Sequence, residues 1–245
     1  SGTDIKRPSG QILPKGEKEP IVSKSRLLDF ELEMAFITGQ GKKLGKSIST
    51  KEAEDYIFGL CLFNDWSARD IQKFEYVPLG PFLGKSFASS ISPWIVTLDA
   101  LEAFKVKGET QIPEVKAYLQ YQGAKNYNIN LEVLIETNNK SITTISRSNF
   151  KYMYWNMCQQ LAHHSINGCN IQAGDLMASG TISGPQESEY GSMLELSWGG
   201  TKELKLNNQE KRKFLQDNDT VIMKAFAENK NIKIGFGEVR NLIVS

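Results

Sequence analysis

Acidic side chains that could hold a metal ion stand at two places in the chain. Glu31 and Glu33 belong to a stretch in which apolar and polar residues alternate, and Asp65 follows an apolar run. The alternation has the two-residue period of a half-buried strand, so Glu31 and Glu33 point to the same side. Like charges at such positions repel each other unless water or a cation lies between them. The pair by itself therefore fits either a solvated strand face or a metal site.

Asp65 makes the metal interpretation the stronger one. It closes an apolar run and precedes Trp66, so we expect it to be partly buried and to need a partner. One candidate is Arg69, four residues along, which a helical turn would bring within reach. The other is a cation shared with Glu31 and Glu33, whose oxygens suit Mg²⁺ or Ca²⁺. Zinc is disfavoured because neither histidine nor cysteine accompanies these carboxylates.

A loop rich in proline and glycine, residues 80–86, presents Lys85 between a glycine and a serine. Three residues separate Gly80 from Gly84 where a phosphate-binding loop has four, which argues against nucleotide binding. We therefore interpret Lys85 as a single cation directed at a substrate carbonyl or at a neighbouring carboxylate. His163 and His164 are adjacent in a predicted helix and point in different directions, so they are not predicted to bind one ion together.

The elements that must position these groups are mainly strands. Two helices are predicted: a short one over 51–56, capped by Ser49 or Thr50, and a longer one with an apolar stripe from Phe150 to Leu161 and Ser148 as its cap. Tyr152, Tyr154 and Trp155 on that helix are interpreted as packing residues. Residues 1–25 are predicted to be irregular, and 57–63 to form a buried strand or a buried helix. Strands are expected at 26–38, 91–98, 117–121, 127–136, 141–145, 174–183, 192–198, 201–206, 220–227 and 233–239.

Composition narrows the class of protein. The 245 residues suit one domain, and 29 basic against 28 acidic residues leave a formal charge of +1. That balance offers no general attraction for nucleic acid or for an anionic membrane, so a small-molecule partner is expected. The three cysteines match no zinc or disulfide spacing and favour a reducing, cytoplasmic location. Because no apolar run reaches about 18 residues, neither a membrane span nor a signal peptide is expected.

Several motifs together resemble the fumarylacetoacetate hydrolase family along the whole chain. They are NDWSARDIQ at 64–72, EYVPLGPFLGKSF at 75–87, the segment 159–170, ASGTISG at 178–184 and GSMLELSW at 191–198. The resemblance implies a β-rich α+β fold, a mixed β-sandwich roll of the C-terminal domain type, which forms a homodimer. It also implies metal-dependent hydrolysis of the carbon–carbon bond of fumarylacetoacetate, a β-diketone acid, to fumarate and acetoacetate, the last step of tyrosine catabolism.

The same resemblance implies roles for individual residues. The metal ligands would be Glu31, Glu33 and Asp65. A second cation position would involve Lys85 and Ser89, the latter where a threonine is usual. Residues that match substrate contacts are Gln72, Tyr76 and Thr181. Developing negative charge would be stabilised by Arg69, Gln72 and Lys85, and Glu195 matches the carboxylate that orients the catalytic base.

One departure from the family pattern concerns sequence before Ser1. The family's histidine base, its fourth carboxylate ligand and a small N-terminal domain belong to that upstream part. Residues 1–245 are therefore expected to be a single catalytic-type domain without it, able to bind but turning over poorly. Two alternatives remain open at this point. The first is an acylpyruvate hydrolase or oxaloacetate decarboxylase of the same superfamily, and the second is a non-catalytic binder of metal or carboxylates.

Overall fold

The computed structural model describes residues 1–245. Strands make up most of the regular structure, and no helix is both long and apolar enough to cross a membrane. The strands are β1 Ile5–Lys6, β2 Ser9–Ile12, β3 Ile21–Lys24, β4 Leu28–Asp29, β5 Leu32–Thr38, β6 Ile57–Asp65, β7 Ser67–Ala68, β8 Ser89–Ile91, β9 Val96–Thr97, β10 Lys105–Val106, β11 Asn126–Tyr127, β12 Asn130–Glu136, β13 Ile142–Asn149, β14 Leu176–Ala178, β15 Leu204–Lys205, β16 Lys211–Arg212, β17 Thr220–Glu228 and β18 Lys233–Val244. The α-helices are α1 Arg69–Glu75, α2 Leu98–Leu101, α3 Met157–Ser165 and α4 Met193–Leu196. Short 3₁₀ helices cover Ala53–Tyr56, Glu102–Phe104, Ala117–Leu119, Phe150–Tyr152 and Glu187–Glu189.

Two five-stranded sheets form the body of the fold. One has the order β1-β18-β17-β12-β13, and the other joins β14, β5, β6 and β8, with β9 also paired to β6. The β1–β18 pair is parallel and the other pairs are antiparallel, so the architecture is mixed. A core of 38 buried residues draws on both sheets, for example Met34 and Leu62 from one and Val133 and Val239 from the other. The predicted strand-rich α+β sandwich is confirmed.

The pairing of β5 with β6 explains why distant acidic residues meet. The two strands are antiparallel, with Leu32 opposite Asn64, so the start of β5 lies beside the end of β6. Glu31 and Glu33 flank that start, and Asp65 is the last residue of β6. Strand register therefore brings together carboxylates that are more than thirty positions apart in the chain.

The stretch 26–38 differs from the prediction in two ways. It is divided into β4 and β5, and β5 is buried on both faces instead of one. Met34 and Phe36 face the main core, while Ala35 belongs to a second apolar cluster with Cys61 and Phe63. The alternation of apolar and polar residues indicates that a strand has two faces. It does not indicate whether both faces are buried.

Both predicted helices also need correction. The 51–56 segment is a single 3₁₀ turn over Ala53–Tyr56 without a side-chain cap. The longer helix begins only at Met157, because Asn156 accepts a hydrogen bond from the Gln159 amide and the Gln159 side chain accepts one from the Asn156 amide. This reciprocal capping box places the helix start after Asn156, whereas the predicted cap Ser148 lies in β13.

Several other assignments of secondary structure were also wrong. Residues 192–198 contain helix α4, 117–121 contain a 3₁₀ turn, and 1–25 contain three strands. Residues 57–63 belong to strand β6, which settles the choice left open by their apolar run. Helix α1 was not predicted as an element, and it carries Arg69 and Gln72. A segment of one turn contains too few residues to distinguish a period of 2 from one of 3.6.

Candidate metal centre and adjoining cavity

Glu31, Glu33 and Asp65 converge as the sequence predicted. One carboxylate oxygen from each lies within 4.8 Å of the others. Lys85 reaches into the group, and its Nζ donates to Glu31 Oε2 at 2.6 Å and to Asp65 Oδ2 at 2.9 Å. Glu33 is only 2% exposed and accepts a single bond, from the Gly180 amide at 2.9 Å. Glu31 and Asp65 are therefore paired with the Lys85 ammonium group, whereas Glu33 has no cationic partner.

The electrostatic consequences differ for the three acids. Burial and the neighbouring charges of Glu31 and Asp65 raise the pKa of Glu33 to about 8. Burial would also raise the pKa of Glu31, but Arg69 and Lys85 outweigh it and leave that pKa below its ordinary value. Burial raises the pKa of Asp65 in spite of Lys85. Ionised Glu33 thus lacks a positive partner in its buried position.

A divalent cation fits this arrangement. Four carboxylates and two cationic side chains meet here: Asp29, Glu31, Glu33, Asp65, Arg69 and Lys85. When all are ionised they leave an excess of two negative charges, which one divalent ion would neutralise. The donors facing one another are carboxylate oxygens, which suit Mg²⁺, Ca²⁺ or Mn²⁺. Glu33, Glu31 and Asp65 are the residues that would hold it.

Arg69 does not pair with Asp65, so that alternative is wrong. Its Nε donates to Asp29 Oδ2 at 2.8 Å and its Nη1 donates to Glu31 Oε1 at 2.7 Å. The reason is topological: β4 pairs with β7 just before α1, which places Asp29 beside the start of the helix. Gln72 accepts a weaker bond from Arg69 Nη1 at 3.2 Å.

A cavity of about 440 Å³ adjoins the carboxylates. Glu31, Arg69, Thr181 and Glu195 contribute to its wall, so four predicted site residues share one space. Ser183 and Ser192 donate their hydroxyls to the Glu195 carboxylate at 2.8 and 2.9 Å, which fixes its orientation. The cavity is large enough for a small organic acid.

Aromatic residues interpreted as packing also line this cavity. Tyr152, Tyr154 and Trp155 belong to its wall, and Tyr154 and Trp155 are 39% and 41% exposed. The interpretation was wrong because α3 begins after this segment, so the predicted helical stripe does not exist there. These side chains instead offer apolar surface beside the site.

Other predicted positions lie at the margin. Tyr76 follows α1 and is half exposed, and Ser89 stands directly opposite Asp65 in the β6–β8 pair. A contact of Tyr76 with substrate, and of Ser89 with a second cation, stays a prediction. Glu75 accepts hydrogen bonds from the Phe82 and Gly84 amides at 2.8 and 2.7 Å, which anchors the loop in front of Lys85.

The two histidines lie in α3 and bind separate partners. His163 Nδ1 is 2.9 Å from the Tyr118 hydroxyl, whereas His164 Nε2 is 3.7 Å from Cys169 Sγ. Neither belongs to the carboxylate group. The three cysteines are free, in agreement with their spacing.

Comparison with known proteins identifies the family of this chain. The family model described as fumarylacetoacetate (FAA) hydrolase C-terminal matches residues 1–244. The chain belongs to the fumarylacetoacetate hydrolase family. Proteins named fumarylacetoacetase from Bos taurus and Homo sapiens are 55% and 54% identical to it over 239 residues, 97% of this chain. The chain spans 57% of the length of each of these two relatives.

Solved structures of family members confirm the fold. A fumarylpyruvate hydrolase from Pseudomonas aeruginosa, in complex with Mn²⁺ and pyruvate, matches all of this chain and 71% of its own with a TM-score of 0.58 and 15% identity. A fumarylacetoacetate hydrolase from Exiguobacterium antarcticum matches 94% of this chain and 67% of its own, with a TM-score of 0.55 and 20% identity.

Sequence reasoning missed one buried carboxylate of the candidate site. Asp29 is fully buried and links Arg69 to the segment before Glu195. In the sequence it is one more polar residue of an alternating stretch, two positions before Glu31, and no local signal separates it from a solvated residue. The serines that hold Glu195, Ser183 and Ser192, carry no signal in the sequence beyond their place in the motifs at 178–184 and 191–198.

Proposed function

We propose that this chain forms the metal-binding catalytic part of an enzyme that hydrolyses fumarylacetoacetate to fumarate and acetoacetate. The observation that carries the proposal is the convergence of Glu31, Glu33 and Asp65, with Lys85, beside a cavity walled by Arg69. Identities of 50–55% to proteins named fumarylacetoacetase support the choice of substrate.

The chain's own residues suit the binding of a β-diketone acid. A divalent ion on the three carboxylates would supply Lewis-acid polarisation of the dicarbonyl oxygens. Arg69 lines the cavity while Asp29 and Glu31 hold its guanidinium, so its free edge can donate to a substrate oxygen. On the family pattern, Lys85 and Gln72 would add donors where negative charge develops, a contribution worth on the order of 10² to 10³ in rate per donor.

Glu195 would act on the base and not on the substrate. Its carboxylate is held by two serine hydroxyls at the cavity wall, a geometry suited to orienting an imidazole and favouring its protonated form. We propose that this base and a fourth carboxylate ligand come from the part of the protein that precedes this region in the relatives. The support is the family resemblance.

The remaining elements of the proposal follow from composition and the site. We propose Mg²⁺ or Ca²⁺ as the bound ion because every ligand in the group is a hard oxygen. We also propose a homodimer on the family pattern. A cytoplasmic location is favoured by three free cysteines.

Asp65→Asn, made in the protein encoded by the complete reading frame, tests the function. Calorimetry with Mg²⁺ and Mn²⁺ should show affinity lowered at least tenfold, and hydrolysis of fumarylacetoacetate should fall in parallel. The control is Asp99→Asn, at an exposed position on α2 outside the site. Fumarylpyruvate and oxaloacetate serve as comparison substrates.

The outcomes separate the candidate functions. Higher kcat/KM for fumarylpyruvate or oxaloacetate would transfer the assignment to an acylpyruvate hydrolase or a decarboxylase. Metal binding by the complete protein with no turnover of any substrate would leave a binding protein. Hydrolysis that survives Asp65→Asn unchanged would remove the carboxylate group from the mechanism.

A further inference from the structure

Asp29 is the most heavily bonded buried carboxylate beside the cavity. Its side chain has no exposed surface, and its two oxygens accept four hydrogen bonds. The donors are Phe30 N at 2.8 Å and Met193 N at 2.7 Å on Oδ1, and Arg69 Nε at 2.8 Å and Leu194 N at 3.0 Å on Oδ2.

These donors belong to two separate parts of the site. Arg69 begins α1 and uses another nitrogen to bond Glu31, which is a proposed metal ligand. Met193 and Leu194 open the single turn of α4, which carries Glu195 one residue later. The side chain of Asp29 thus links Arg69, which lines the cavity, to the turn that carries Glu195. Glu195 is the carboxylate proposed to orient the base.

We propose that Asp29 is a positioning residue that sets Arg69 and Glu195 relative to each other. The inference rests on the proposed function for the roles of those two residues. Asp29 itself touches neither the cavity nor the three metal-facing oxygens. It acts by fixing the direction of the guanidinium and by holding the α4 turn, so that both groups face the same space.

The geometry explains why an amide cannot replace this carboxylate. Each oxygen of Asp29 faces two N–H donors, so an asparagine NH₂ group meets two donors whichever way it is turned. Asp29→Asn therefore breaks two bonds and leaves Glu31 as the only carboxylate that pairs with Arg69. Loss of such an outer partner typically costs about 10 to 100-fold in activity or affinity.

A matched control exists elsewhere in the fold. Asp219 is also buried, 1% exposed, and accepts two bonds from Arg212 and one from the Gln216 amide. Asp219→Asn therefore removes a buried Asp–Arg pair of the same kind without touching the site. Comparing Asp29→Asn with Asp219→Asn separates a loss of position from a general loss of stability.

The test uses the complete protein. We expect Asp29→Asn to lower kcat/KM about 10 to 100-fold, while Asp219→Asn stays within about twofold of the unsubstituted enzyme at a temperature where both are folded. In a double-mutant cycle, Asp29→Asn should cost much less when Glu195→Gln is already present, because both changes impair the same unit. A change that acts only through folding would instead multiply with Glu195→Gln.

Hydrogen exchange tests the positioning without activity. The amides of Met193 and Leu194 should exchange at least tenfold faster in Asp29→Asn and unchanged in Asp219→Asn. Unaltered exchange in Asp29→Asn, or independent effects in the cycle, would overturn the inference. If the unsubstituted protein cleaves no fumarylacetoacetate, the proposed function fails, and the exchange result still decides whether Asp29 holds the α4 turn.

Discussion

Glu33→Gln in metal-free protein should increase stability while it weakens metal binding. Glu33 is buried beside Glu31 and Asp65, and its pKa is raised from an ordinary 4.5 to about 8. At pH 7 the unfolded chain ionises this group, whereas the folded chain must keep it protonated. At about 1.4 kcal/mol per pH unit, the 2.5 units between 4.5 and 7 correspond to about 3.5 kcal/mol of lost stability.

The sign of the pH dependence follows from the same shift. Between pH 4.5 and 8 the folded state binds more protons at Glu33 than the unfolded state, so the free energy of unfolding falls as pH rises and levels off above 8. Glutamine does not titrate and can keep the bond from the Gly180 amide through its oxygen. The variant should therefore gain up to about 3.5 kcal/mol at pH 7, or about 7 to 14 °C in Tm for a chain of this size.

Urea unfolding followed by fluorescence at pH 5, 7 and 8.5 measures this gain, first in EDTA and then with Mn²⁺. A divalent ion at a thousandfold excess over its Kd would stabilise the unsubstituted chain by about 4 kcal/mol and the variant by much less, so the stability advantage of the variant at pH 7 should disappear. Glu132→Gln, which removes a surface partner of Arg147, is the control and should change stability by no more than about 0.5 kcal/mol. A variant that is less stable than the parent in EDTA at pH 7 would refute the reasoning.

Two further predictions concern the loop and the thiols. Glu75→Ala removes the acceptor for two loop amides before Lys85. In the complete protein kcat/KM should therefore fall about tenfold, and the free energy of unfolding should fall by about 1 to 3 kcal/mol. Unchanged kinetics would contradict the anchoring role. Iodoacetamide should modify Cys169 alone in the native protein, since Cys61 and Cys158 are buried and burial raises the pKa of these thiols to about 11 and about 12. Intact mass before and after unfolding checks this, and two or three labels on the native chain would count against it.

Much of the metal group could be predicted from local sequence. A two-residue period places Glu31 and Glu33 on one side of a strand, and the apolar run before Asp65 indicates a buried neighbour. Carboxylates without histidine or cysteine then indicate a hard cation. The loop composition also identified Lys85 as a cation presented to the site, and its bonds to Glu31 and Asp65 confirm that.

Short elements could not be predicted in the same way. Three features each depend on only a few residues: helix α4, the capping of α3 and the division between β4 and β5. In such segments the hydrophobic period is not defined, and the outcome depends on which backbone groups find partners. Asn156 starts α3 through side-chain hydrogen bonds that no periodic pattern contains.

The amino-acid sequence by itself determined which residue types could bind a hard cation and that strands would carry them. Only the tertiary structure decided which charges meet: Arg69 with Asp29 instead of Asp65, and Glu33 with no cation at all. The physical reason is that periodicity describes a single element, whereas a buried charge takes its partner from whatever the fold brings against it. Asp29 and Met193 are 164 positions apart, and only the folded chain makes them neighbours.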